Sequence, residues 1–211
     1  MKKKAIMLLA LGSISATVSA HEAGEFFMRA GTATVRPTEG SDRVLGMSHF
    51  NVSNNTQMGL TFTWMATDNI GIELLAATPF RHKVGLKETG NLATVRQLPP
   101  TLMAQWYFGD ATSKVRPYIG AGVNYTFFYD EHFNDTGKAA GLSDLSAGHS
   151  WGMAGQVGLD YMIDKDWLVN MSVWYMDIDT TVKFKHDTLG RQSVSTRIDP
   201  WVFMFSAGYR F

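Results

Sequence analysis

Cysteine is absent from all 211 residues. No disulfide can staple this chain, and no thiolate can hold a metal or attack a substrate. Long apolar runs are missing too. Beyond residue 20 no stretch reaches 18 consecutive apolar residues, so no helix is expected to cross a bilayer. Strands are not excluded by this, because they cross with about 9–11 residues each. Charge of one sign is also lacking: 19 Lys and Arg offset 19 Asp and Glu. A nucleic-acid partner needs a basic patch and finds none here.

Residues 1–20 have the composition of an export signal. Lys2, Lys3 and Lys4 form a positive start, Ala5 to Leu11 an apolar run, and Val18-Ser19-Ala20 a small-residue cleavage site. The expected division is a cleaved signal at 1–20 and one domain at 21–211. Without the three lysines, sixteen basic residues stand against nineteen acidic ones. An exported chain without disulfides must hold together by packing and hydrogen bonding. A closed barrel achieves this because every backbone group is paired between strands.

The stretch Ile198–Phe211 shows which sheet is meant. Trp201, Phe203, Phe205, Ala207, Tyr209 and Phe211 alternate with Val202, Met204, Ser206, Gly208 and Arg210. Period two is strand geometry, and one face is almost wholly aromatic. A soluble sheet would cover that face with a second layer. A transmembrane barrel turns it to lipid. Phe205, Tyr209 and the terminal Phe211 are also expected to be the C-terminal signal read by the barrel-assembly machinery.

Eight such segments are expected: Glu25–Arg36, Met58–Met65, Ile70–Phe80, Thr101–Phe108, Pro117–Tyr129, Trp151–Ile163, Trp167–Lys183 and Ile198–Phe211. The connections between them alternate long and short. The fold class predicted is all-β, an eight-stranded antiparallel transmembrane β-barrel with short periplasmic turns and long extracellular loops. Its outward sets, such as Ile70, Ile72 and Leu74 or Ile119, Val123 and Phe127, hold hardly a charge. Trp64, Trp106, Phe108, Tyr161 and Trp167 cluster near the short turns as an aromatic girdle, with Tyr129, Trp151 and Trp201 marking the outer one. Outer-membrane lipid and lipopolysaccharide are the surroundings this implies, and the location is the outer membrane of a Gram-negative bacterium.

The opposite parity predicts the lumen. Arg29, Glu73, Asp160 and Arg210 fall low, near the short turns, and form a charged plug together with Gln105 and Tyr107. Higher up, Leu75, Met103, Trp174, Met176, Val202 and Met204 make the wall apolar. An eight-stranded barrel has room only for side chains or one small ligand. The charged groups are expected to pair whatever the function, since burying them alone costs several kcal/mol each. The apolar set fits either core packing or a site for hydrophobic ligands, a use for which methionine is well suited.

Several runs carry a family resemblance. They are His21–Gly31 (HEAGEFFMRAG), Ala66-Thr67-Asp68-Asn69-Ile70-Gly71 continuing to Ala76-Ala77-Thr78-Pro79-Phe80, Leu98-Pro99-Pro100-Thr101-Leu102, Tyr118–Tyr125 (YIGAGVNY) and Ser206–Phe211 (SAGYRF). In this order they resemble the OmpW family across essentially the whole of 21–211. The resemblance implies an eight-stranded outer-membrane barrel with a narrow hydrophobic channel for small apolar molecules, and a side opening in its wall as an exit. The family's apolar constriction falls on Leu75 and Trp174, which parity alone turns inward. Pro79, Pro99 and Pro100 lie at the upper ends of the third and fourth strands. Proline cannot donate to a ladder, so pairing should weaken there.

Other functions have less to stand on. His49, His82, His132, His149 and His186 lie in the long connections, near Asp130, Asp135, Ser143, Asp144 and Ser150, with no catalytic or metal-ligand spacing. No enzyme activity, cofactor or metal is expected, although Asp177 and Asp179 above Trp174 suit a surface cation. The competing readings are a surface receptor that docks a bacteriocin or phage through loops such as Phe80–Leu98 and Asp130–Ser150, and a structural barrel without a ligand.

Overall fold

A computed structural model describes residues 21–38 and 40–211. The expected export signal, residues 1–20, lies outside the described residues. The strands are β1 (Phe26–Arg36), β2 (Gly40–Ser41), β3 (Asn51–Val52), β4 (Asn55–Met65), β5 (Ile70–Ala77), β6 (Phe80–Leu86), β7 (Gly90–Leu98), β8 (Thr101–Tyr107) and β9 (Val115–Phe133). They continue, after helix α1 (Asp135–Ala139), with β10 (Leu142–Ala147), β11 (Ser150–Met162), β12 (Trp167–Met176), β13 (Asp179–His186), β14 (Gly190–Arg197) and β15 (Trp201–Arg210).

Eight of these form a closed antiparallel ring. β1 pairs with β4, and the pairing runs on through β5, β8, β9, β11, β12 and β15 back to β1. Closure leaves no free edge in the ring, which is the condition for strands to cross lipid. The expected period-two faces follow. Leu74, Leu102, Trp106, Ile119, Val123, Val157, Met171, Phe203 and Phe205 project outward and are exposed. An apolar band of this extent around a barrel belongs in a bilayer. Aromatic rings edge it at both ends, with Trp64, Trp106, Tyr161, Trp167 and Phe211 below and Tyr129, Trp151 and Trp201 above.

The long connections are not simple loops. β6 and β7 form a hairpin whose second strand pairs with the outer part of β9, from Leu98–Phe127 to Ala93–Phe133. β13 and β14 form a second hairpin, extended by β10 and β2 into a four-stranded sheet. The expected single strand Trp167–Lys183 is therefore two, parted at Asp177 and Ile178. There the Asp199 carboxylate accepts from the Ile178 amide in place of a ladder partner. β9 has 19 residues, far more than a membrane crossing needs, and stands well clear of the barrel. Period-two alternation continues into these hairpins, as Phe80, His82, Val84 and Leu86 show, and so does the sheet.

Candidate functional site

The interior is stacked in layers along the barrel axis. At the short-turn end Phe27, Met65, Tyr107, Tyr118, Met162 and Leu168 pack into a buried floor. Each comes from the inward parity of its strand. Tyr118 finds space because Gly158 stands directly opposite it on β11. A Cβ at Gly158 would lie 2.3 Å from the Tyr118 ring. Glycine is used there for close approach rather than for an unusual backbone angle.

Above the floor Arg29 is the centre of a polar layer. Its guanidinium bonds Glu73 and Asp160, donates to Thr63 Oγ1 at 3.1 Å and donates to Tyr107 Oη at 2.8 Å. Glu73 accepts from Gln105 Nε2 at 2.8 Å and Gln156 Nε2 at 2.9 Å. Asp160 accepts from Asn170 Nδ2 at 2.7 Å and bonds His21 Nε2 at 2.8 Å. Every one of these groups is buried. A buried pair of this kind holds only where hydrogen bonds satisfy the remaining lone pairs, and here they do.

Arg210 does not join this plug, contrary to the expectation from parity. It stands at the barrel mouth, where its guanidinium bonds Glu25 at 3.0 Å. Parity gives the direction of a side chain but not its depth, and Arg210 is the last residue of β15. The further cation near the plug is Arg116, fully buried, donating to the carbonyls of Asp68 at 2.8 Å and Phe108 at 3.1 Å. His21 and Arg116 were missed in the sequence, since one precedes the first strand and the other opens the fifth barrel strand beside a turn.

Leu75, Met103, Trp174, Met176 and Met204 are all buried in one cluster above the plug, joined by Ala33, Val35, Phe80, Phe128, Ile178, Ile198 and Val202. They pack against one another in the upper lumen, and none of the five lines the cavity described below. Trp174 satisfies its indole N–H by donating to Ser172 Oγ at 3.1 Å. Phe205 and Phe211 point outward and are exposed, while Tyr209 is half-buried against Trp167, with ring centroids 5.0 Å apart.

The open space lies higher, between the two outer hairpins. A cavity of about 140 Å³, partly open to solvent, is lined by apolar side chains such as Val44, Met47, Phe50, Leu86, Phe133 and Phe184. Its floor includes Phe128 and Ile198, which also belong to the packed cluster below. These lining residues sit in segments whose length and polar ends suggest loops in the sequence. The signal that finds them is the alternation on β6 and β13. His82 reaches into the same cavity, and burial lowers its pKa, so the ring is neutral.

The wall beside the upper cluster has a seam. The ladder between β5 and β8 ends at Leu75–Thr101, and pairing resumes only at Phe80–Gln97. Between them stand Ala76, Ala77, Thr78 and Pro79 on one side and Leu98, Pro99 and Pro100 on the other. The Pro100 carbonyl accepts from the Tyr125 amide of β9 at 3.0 Å, and Thr78 donates to the Met58 carbonyl at 3.0 Å, so each edge is bonded away from the seam. β5 and β8 have 8 and 7 residues. That is short of the roughly 9–11 that a strand needs to cross a bilayer on its own.

At the rim Asp177, Asp179 and Asp199 bring carboxylate oxygens within 4.8 Å of one another. Desolvation and the neighbouring Asp199 and Asp179 hold the Asp177 carboxyl above its usual value. Arg197 Nε lies 3.5 Å from both Asp179 and Asp199 and supplies countercharge. Of the histidines, His49 and His132 bond the backbone carbonyls of Ser41 and Asp130, His149 Nδ1 accepts from the Phe128 amide of β9 at 3.3 Å, and His186 Nδ1 accepts from the Thr188 amide in the β13–β14 turn. Among the described residues none of them belongs to a group arranged to hold a metal.

The OmpW family model matches residues 22–211. Outer membrane protein W of Escherichia coli K12 is 69% identical over 215 aligned positions that cover all of both chains. The crystal structure of outer membrane protein OprG from Pseudomonas aeruginosa superposes with a TM-score of 0.85 at 45% identity, covering 91% of this chain and 98% of that one. Outer membrane protein AlkL in lipid bilayers, known by solid-state NMR, shares the fold with a TM-score of 0.70 at 22% identity over 100% and 97% of the two chains.

Proposed function

Since this chain belongs to the OmpW family, we propose that it takes up small hydrophobic molecules through the outer membrane, by way of the outer cavity and the apolar upper lumen. The observation that carries this reading is the apolar cavity between the extracellular hairpins, with the buried apolar cluster directly beneath it. Lipopolysaccharide sugars are polar and closely packed, so an apolar solute crosses them slowly. A greasy well that projects beyond them lowers that barrier, because apolar surface gains roughly 25 cal/mol per Å² on leaving water.

The polar layer around Arg29 blocks the straight route to the periplasm for such a solute, since dissolving a hydrocarbon there would break satisfied buried hydrogen bonds. The exit we propose is sideways, through the seam at Pro79, Pro99 and Pro100 into the lipid. Movement of Leu75, Met103 and Met176, which lie on or beside the strands forming that seam, would open the path. Methionine permits this because its side chain is unbranched and adaptable.

Uptake of an apolar probe into proteoliposomes tests the reading. Wild type is expected to speed uptake over empty vesicles, and Leu75→Asp and Trp174→Arg to abolish that gain while keeping the heat-modifiable gel shift of a folded barrel. Wild-type rates equal to those of empty vesicles would make the upper lumen mere packing. They would favour docking through the outer hairpins instead.

A further inference from the structure

We propose that the outer cavity distinguishes small amphiphiles, apolar molecules that carry one hydrogen-bonding oxygen, from plain hydrocarbons of the same size, and that the Gln97 amide is the group that reads the oxygen. This rests on the uptake reading above and names its ligand class. In a wall made almost wholly of aliphatic and aromatic side chains, Gln97 and His82 are conspicuous. They are 2% and 4% exposed and both line the cavity.

Their hydrogen bonds settle which atoms remain free. His82 Nδ1 lies 2.6 Å from the Ser53 carbonyl oxygen. A carbonyl only accepts, so Nδ1 carries the proton. In a neutral ring Nε2 is then an acceptor, and Gln97 Nε2 donates to it at 3.1 Å. This contact orients the amide. Its oxygen and its second N–H make no hydrogen bond to the protein among the described residues. Of the other polar side chains of the wall, Thr180 Oγ1 donates to the Gly148 carbonyl, Thr196 Oγ1 lies 3.4 Å from the Val194 carbonyl and His186 Nδ1 accepts from the Thr188 amide at 3.1 Å, while Thr89 is exposed in the β6–β7 turn.

The Gln97 oxygen is reached from the cavity rather than sealed away from it, where a leucine would present only apolar surface. A ligand hydroxyl can donate to Oε1 and accept from the second N–H. The cavity of about 140 Å³ is close to the roughly 150 Å³ apolar cavity that holds benzene. A single ring bearing one hydroxyl is therefore the right size. A site built around such a hydrogen bond rejects the analogue that lacks it.

Toluene and phenol differ by a methyl in place of a hydroxyl, so they form the test pair. Binding is followed in detergent-free nanodiscs through the methyl NMR shifts of Met47, Val84 and Leu86, which report from the cavity and not from the lipid. Gln97→Leu is expected to lower the ratio of phenol to toluene affinity about three- to ten-fold, as loss of one hydrogen bond implies, with toluene affinity kept. Gln97→Met, also unbranched and without the amide, should do the same. His82→Leu, which frees the amide from its orienting partner, should lower the ratio in the same way. General loosening of the hairpin would instead weaken both ligands. An unchanged ratio in both Gln97 variants, with toluene still bound, overturns this inference and leaves the uptake reading standing. If wild type shifts with neither compound, the cavity is no ligand site and the uptake reading fails with it.

Discussion

Arg29 holds two carboxylates in a space without bulk water, and its neighbours can accept no substitute. Removing one partner from a buried ion pair strands the other charge, which costs about 3–5 kcal/mol. Arg29→Met leaves both Glu73 and Asp160 without their cation. Urea unfolding of the refolded barrel is expected to show a loss of that order. Adding Glu73→Gln and Asp160→Asn should recover much of it, because neutral amides have no charge left to strand. Equal losses in the single and the triple variant would mean that shape, not charge, governs this layer. Gly158 belongs to the same scale. It leaves room for the Tyr118 ring, and Tyr118 Oη in turn accepts from Asn170 Nδ2 at 2.9 Å.

The element that bears on the proposed sideways exit is the β5–β8 pair together with the hairpin it carries. Successive amides of a strand point to opposite neighbours. Thr78 donates to Met58 on the β4 side, so Ala77 turns its amide toward the seam. In hydrogen exchange on the protein in bilayers, the Ala77 amide is expected to exchange much faster than those of Thr78 and Leu74. Protection of Ala77 equal to theirs would mean a sealed wall and no sideways exit. The hairpin itself is stiffened by β7–β9 pairing and by the packing of Leu86, Leu92 and Phe133, which keeps the cavity shaped.

As a whole molecule the barrel is packed at its lower end and carries an apolar cavity at its outer end. Three buried layers, the aromatic floor, the Arg29 network and the apolar cluster, lie in series across the lumen. Eight strands enclose a lumen narrow enough for side chains of this size to fill. Planar-bilayer recordings of wild type are accordingly expected to show no sustained ion conductance. Steady ohmic steps would show an aqueous path that these layers exclude. The outward face, by contrast, is uniform and apolar between its two aromatic edges, and it fixes how the barrel sits in the outer membrane.

What the sequence determined by itself was the barrel. Alternation of period two, connections alternately long and short, and an aromatic last strand are local properties that a closed sheet in lipid demands, and they survive in any register. Direction was legible for the same reason, which is why Arg29, Glu73 and Asp160 and the Leu75–Trp174 set could all be turned inward by parity. Only the tertiary structure decided depth and company. Arg210 sits at the mouth because it is the last residue of its strand, His21 enters the plug's neighbourhood from ahead of the first strand, and Arg116 lies one residue before the expected strand Pro117–Tyr129, in the first residues of β9. The cavity was hidden because its walls come from four separate connections, each too short and mixed to look like core. Their apolar faces meet only after the barrel beneath has fixed their spacing. Gln97 was just another polar residue until the fold buried it in that wall beside His82.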